Sequence, residues 1–203
     1  MSNIQEIDRI QSNPESNSIP HNTHVDGDFL ITSWYRDGTT VHDISNPHNL
    51  VQVAYYDSYS GSGDGFDGCW GTYPFLPSGN IISSEINSSS NQSAKLMIYE
   101  RGFVQACYLE GNITDATNGN NLSGASIEIL NTPITNNSTS NLLGYYGSGT
   151  ANPAIYDVVF SKPGYLTDTL QTTLLSGQVV ILNAILYIDN NVPMLGCTNP
   201  SAS

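Results

Sequence analysis

A chain of 203 residues holds one large domain or two small ones. Hydrophobic residues at 38% fill a modest core, while charged residues at 11% fall well below the ordinary share of about a quarter. Acidic groups outnumber basic ones 18 to 5, for a formal net charge of -13, so phosphate backbones and anionic lipid surfaces repel the chain and nucleic acid is not expected as a partner.

Residues 1–20 mix Gln5, Glu6, Asp8, Arg9 and Glu15 with scattered Ile and lack the apolar core of a signal peptide. The most apolar run, residues 179–188, is interrupted by Asn183 and falls far short of the ~20 residues a membrane helix requires, so no membrane insertion is expected. Low Lys content, Asn/Ser/Thr richness and a strand-and-turn pattern suit an exported protein. The expected location is extracellular or at the cell surface, with the signal upstream of Met1 and this chain a fragment.

Residues 1–105 read as short strands separated by turns. Phe29, Leu30, Ile31, Thr32, Ser33, Trp34 and Tyr35 are rich in β-formers and follow the turn dipeptide Asp26-Gly27. Arg36-Asp37-Gly38 ends that strand, residues 39–44 form the next, and Ser45-Asn46-Pro47 breaks it because Pro cannot donate to a ladder. Residues 50–56 alternate Val51, Val53 and Tyr55 against Gln52, Ala54 and Tyr56. After a Gly/Ser/Asp loop at 58–68 the cycle restarts, with strands at 81–86 and 95–99 around a polar insertion at 87–93. The recurrence approximates the ~40–45 residue period of a four-stranded propeller blade. Asp37-Gly38 with Val41-His42-Asp43-Ile44-Ser45-Asn46-Pro47, and Trp70-Gly71 with Tyr73-Pro74 and Pro77-Ser78-Gly79-Asn80, resemble the choice-of-anchor B family. That resemblance implies an extracellular β-propeller of LVIVD-type repeats over residues 18–100. The chain has room for about two blades, whereas a closed propeller requires ~4–8.

Residues 106–186 show strand, turn and strand with no helical period. Residues 108–114 form a first strand, Gly/Asn-rich residues 115–123 a loop, and residues 125–130 a half-buried strand with Ile127 and Ile129 alternating against Ser126 and Glu128. Residues 132–141 are polar and loop out. In 155–160, Tyr156, Val158 and Phe160 point one way, Pro163-Gly164 turns the chain, and residues 179–186 read as a central strand. The opening Gly111…Asp115…Gly119, the Gly124-Ala125-Ser126 strand start and Tyr156…Lys162-Pro163-Gly164-Tyr165 resemble the carboxypeptidase regulatory-like domain, which implies a small, non-catalytic, transthyretin-like β-sandwich. The chain departs from that pattern at 144–153, where extra Gly and Tyr residues replace a compact turn.

Three cysteines are too few for a disulfide scaffold. Cys69 reads as a buried free thiol, with a Cys69–Cys107 bridge as the alternative. Gly196-Cys197-Thr198-Asn199-Pro200 resembles the opening of a short Cys-bounded repeat in tails of bacterial surface proteins, with its second cysteine beyond Ser203.

The tests for chemistry return ordinary structural readings. His21-x-x-His24, with His42 and His48, lacks a placed acidic ligand, and in extended chain residues i and i+3 face opposite ways. Gly63-x-Gly65-x-x-Gly68 fits the dinucleotide pattern, but Cys69-Trp70-Gly71-Thr72-Tyr73-Pro74 follows where a helix is required. Asp57, Asp64 and Asp67 offer oxygens to calcium without the alternating ligands or terminal Glu of an EF-hand. Glu85, Glu100, Glu110 and Glu128 are the carboxylates from which a glycosidase pair would come, and their separation is not a sequence property. Trp34, Tyr35, Tyr55, Tyr56, Trp70 and Tyr73 read mainly as strand packing, with a sugar-stacking face as the alternative. The N-x-S/T sequons follow from composition.

The expected architecture is all-β: a partial β-propeller of about two blades in 1–105, a small antiparallel β-sandwich in 106–190 and a truncated Cys-containing tail in 191–203. The expected function is non-enzymatic: display, spacing, adhesion or ligand binding at the cell surface, with an unknown protein or glycan partner. Catalytic, cofactor and metal residues are expected to be none. The rival readings are an exported enzyme with its active site on further blades, and a carbohydrate-binding module.

Overall fold

A computed structural model of the chain describes residues 3–13, 16–61, 65–86 and 94–190. Every regular element among them is a strand, and no helix there is long and apolar enough to cross a membrane. The N-terminal half opens with β1 (Pro20–Asp26), β2 (Phe29–Trp34), β3 (Gly38–Asp43) and β4 (Val51–Tyr56), an antiparallel sheet in chain order. The turn signals at Asp26-Gly27, Arg36-Asp37-Gly38 and Ser45-Asn46-Pro47 separate these strands. β5 (Gly68–Tyr73), β6 (Ile81–Ile86) and β7 (Lys95–Tyr99) form a second antiparallel sheet. Up-and-down order of this kind is shared by many antiparallel folds, and no closed propeller or barrel forms among the described residues.

Alternation decides what each sheet buries. On β6, Ile81, Ser83 and Glu85 are buried while Ile82, Ser84 and Ile86 are only half-covered. The buried face packs on the first sheet, where Thr39 Oγ1 bonds Ser83 Oγ at 2.7 Å and lies 3.3 Å from Cys69 Sγ. Ile31, Val41, Val51, Val53 and Ile81 make the apolar centre of this half, and Ala106, Tyr108 and Ala151 complete it from across the boundary.

The C-terminal half is a sandwich of two sheets. One is ordered β10 (Ser138–Thr139), β9 (Ser126–Ile129), β12 (Ala154–Ser161), β13 (Asp168–Leu174). The other places β8 (Cys107–Asp115) between β11 (Tyr145–Thr150) and two short strands, β14 (Val179–Ile181) and β15 (Ala184–Leu186). Leu109, Ile113, Ile127, Tyr146, Val158, Phe160 and Leu174 fill the space between the sheets. Tyr156, Val158 and Phe160 point inward together, as the alternation in 155–160 requires.

The expectation of one central strand over 179–186 is corrected. The run divides at Leu182-Asn183, and both pieces pair parallel to β8 at the sheet margin, leaving Ile181 62% and Ile185 52% exposed. Asn183 explains the break: its side-chain oxygen accepts the Asn112 N–H at 2.9 Å in place of a backbone carbonyl. Leu182 O meanwhile turns inward to accept from the Tyr146 hydroxyl at 2.6 Å, against Gly111, where a Cβ would sit 2.1 Å from it.

Candidate functional site

The sequence-selected residues disperse. His42 is buried and His48 exposed, while His21 and His24 lie against rings of β5: His21 is 4.5 Å from Trp70, and His24 is 6.1 Å from Tyr73. His21 sits in the bulge between Pro20 and Asn22 and is exposed, while His24 is half-buried on the strand that follows. Among the described residues no group of three or more His, Cys, Asp or Glu is placed to hold a metal. Asp67 is buried and pairs with Arg36 at 3.4 Å, Asp57 Oδ1 accepts the Tyr59 N–H at 2.8 Å, and Asp64 lies outside the described residues. Gly63 also lies outside them. Gly68, at φ +98, lets Cys69 N–H reach Tyr35 O at 2.6 Å and opens strand β5, with no helix after it.

The carboxylates fall on different elements: Glu85 on β6, Glu100 after β7, Glu110 on β8 and Glu128 on β9. Cys69 and Cys107 are free and buried, so the two are not bridged, and burial raises both thiols above the ordinary range. Such thiols are poor nucleophiles at neutral pH. Cys197 lies outside the described residues.

The aromatic set divides. Trp34 and Tyr35 are core residues, and Trp34 Nε1–H donates to Thr40 Oγ1 at 2.9 Å. Tyr55, Tyr56, Trp70 and Tyr73 keep about half of their surface exposed. Trp70 and Tyr73 belong to a seam where β1 meets β5, flanked by His21, His24, Phe66 and Phe75 and tied by Asn22, whose side chain accepts the Thr72 N–H at 3.2 Å.

A dense polar constellation among the described residues lies where no sequence motif marks it, at the junction of the two halves. Asp43 ends β3 fully buried. Its Oδ1 accepts from Ser45 N–H at 2.9 Å and Ser45 Oγ at 2.7 Å, and its Oδ2 accepts the Ala106 N–H at 2.7 Å. Ser45 Oγ lies 3.0 Å from the Tyr108 hydroxyl, which burial holds in its neutral form far above the usual phenol range. Asn46 Nδ2 donates to Glu110 at 2.7 Å, and Asn49 Nδ2 donates to Ser148 O at 2.9 Å. On β4, Gln52 N–H donates to Asn136 Oδ1 at 3.1 Å while Asn136 Nδ2 donates to Gln52 O at 3.2 Å, so one side chain stands in for a strand partner. Glycine makes the approach close enough: a Cβ on Gly147 would lie 2.9 Å from Asn49, and one on Gly149 2.8 Å from Val51.

Beside this junction runs a cleft between β4 and residues 133–139, in two parts of about 320 and about 690 Å³. Ser12, Gln52, Thr135 and Asn137 line both parts. His42 lines the smaller one. It is 3% exposed, its Nδ1 has no hydrogen-bond partner, and burial lowers its pKa to about 4.

Residues 108–187 match the carboxypeptidase regulatory-like domain, a non-catalytic Ig-like domain. No curated protein matches the chain significantly. Among solved structures, the chain is similar to a minor pilin of Streptococcus agalactiae, at 13% identity over 58% of this chain and 63% of that one, with a TM-score of 0.34. It is also similar to the major pilin subunit of Bacillus cereus, at 15% identity over 54% of this chain and 38% of that one, TM-score 0.34. A third is the group B streptococcus pilus 2b backbone protein, at 11% identity over 92% of this chain and 74% of that one, TM-score 0.34. The chain thus spans less than two thirds of the first two structures it matches.

Proposed function

We propose that this chain is a non-catalytic spacing and display module of an extracellular or cell-surface protein. The observation that carries the reading is the regulatory-like sandwich of residues 108–187 fixed to the preceding sheets by the buried Asp43–Ala106 bond and the polar contacts around it. A spacer transmits position only if its parts do not swivel, and buried charge-assisted bonds of this kind hold orientation. The nucleophile and carboxylate candidates are dispersed or committed to structural partners, which supports the non-enzymatic side of the reading.

Residues 1–105 and 106–190 are proposed as two units joined by this junction, with residues 191–203 as a tail. The finer proposal for the first unit is that its two meanders are consecutive propeller blades of the LVIVD type. What supports it is their up-and-down order and an outer face on β5–β7 that a further sheet would cover. A hydrolase panel of peptide, ester and glycoside substrates, with and without calcium or zinc, tests the non-enzymatic reading. No turnover is expected. Turnover that persists through purification and vanishes in Glu85→Gln would overturn it in favour of an exported enzyme.

A further inference from the structure

We propose that the cleft between β4 and residues 133–139 is a binding site for a neutral saccharide. This goes beyond spacing and display, since it gives the junction a ligand of its own. Both parts of the cleft, about 320 and about 690 Å³, fall within the ~300–1,000 Å³ range of small-molecule sites. The shared lining of Gln52, Thr135 and Asn137 offers a hydroxyl and two carboxamides, each able to donate and accept, while Ser12 donates its proton to Asp37 and leaves its oxygen to accept. That suits a ligand whose surface alternates hydroxyl donors and acceptors. Tyr55, 57% exposed, adds an aromatic face to the larger part.

Charge and geometry exclude the competing ligand classes. Asp37 and Asp57 line the larger part, Arg9 at the smaller part is paired with Glu6 at 2.9 Å, and the chain carries a net charge of -13, so an anionic ligand is disfavoured. A metal ion is not matched either, because Asp37 accepts from the Ser12 and Ser16 hydroxyls on its two oxygens. An extended peptide would add to the free edge of β4, but Asn136 already holds the outward N–H and C=O of Gln52.

The walls are also set in advance. Asn136 is fixed by Gln52, and its own carbonyl accepts from Ser148 Oγ at 2.7 Å, so binding requires little ordering there. At the inner wall the buried His42 has no hydrogen-bond partner at Nδ1.

The test titrates the full chain with neutral oligosaccharides of glucose, mannose and N-acetylglucosamine, and with a uronic-acid oligosaccharide, followed by amide shifts in NMR. One neutral series should saturate, with shifts confined to residues 50–57 and 133–139. Tyr55→Ala and Asn137→Ala, at exposed positions and checked for unchanged spectra elsewhere, should each weaken binding about tenfold or more. Trp70→Ala, on the β1–β5 seam, should leave it unchanged. The proposal is overturned by the absence of saturable binding, or by equal binding of the acidic series. It is also overturned if affinity is lost in Trp70→Ala while kept in Tyr55→Ala.

Discussion

At the scale of single residues, the junction is held by groups that are expensive to bury alone. Asp43 loses its hydration and regains it from three donors, two from Ser45 and one from Ala106. Removing one partner from such a set leaves a buried acceptor unsatisfied at a cost of about 1–3 kcal/mol, more than an exposed ion pair contributes. His42 has the opposite character. Its imidazole titrates near 6.5 in an unfolded chain, and burial lowers that to about 4 in the fold. Between those values the unfolded state holds more protons, so stability falls as pH drops from about 6.5 towards about 4 and levels off below. The shift corresponds to a loss of about 3 kcal/mol. Urea unfolding midpoints across that window should fall less steeply in His42→Gln than in the parent, whatever the variant's stability at neutral pH. Parallel slopes in the two proteins would show that His42 is not held neutral by burial.

At the scale of elements, the sheets differ in how completely they are covered. The sandwich buries one face of each sheet, whereas β5–β7 presents an outer face on which Tyr73, Ile82 and Ile98 lie side by side in register. Leu96 and Ile98 are 67% and 65% exposed, and they sit on an edge strand. Apolar surface of this kind on an open edge favours association. The chain should therefore bind a hydrophobic dye, and the double change Leu96→Lys with Ile98→Lys should remove most of that signal without lowering the unfolding midpoint. Dye binding that the double change leaves intact would place the apolar surface elsewhere.

The same scale shows what was readable in the sequence and what was not. Strand positions in 29–56, 125–130 and 155–160 follow from alternation and turn dipeptides, both local properties, whereas the strands at Ser138–Thr139 and Tyr145–Thr150 fall in stretches that read as loop or as a departure from the pattern. The run at 179–186 misled because burial by continuous hydrophobicity and placement at a sheet margin look alike until the partner strand is known. The Gly-rich stretch 144–153 stood out as a departure from the regulatory-like pattern, and its cause is non-local: Gly147 and Gly149 make room for Asn49 and Val51, almost a hundred residues earlier. Asn136 is indistinguishable from its neighbours in the polar stretch 132–141 for the same reason. Its partner Gln52 is fixed only by the fold.

For the whole molecule, the two halves share no sheet among the described residues, yet they share a core. Tyr108 starts in β8 and packs into the apolar cluster of the first half, alongside Ala106 and Ala151, while Leu109 and Ile113 of the same strand fill the sandwich. One strand therefore belongs to both interiors, and orientation follows from its alternation. The central claim is that this makes a rigid two-part body. NMR residual dipolar couplings measured separately for each half test it most directly, in the parent and in Gly147→Val. Valine is a favoured strand residue, so the sandwich should stay folded while its side chain collides with Asn49. The account predicts a single common alignment tensor in the parent and two different tensors in Gly147→Val. Independent tensors in the parent, or a common tensor unchanged by the valine, would contradict it.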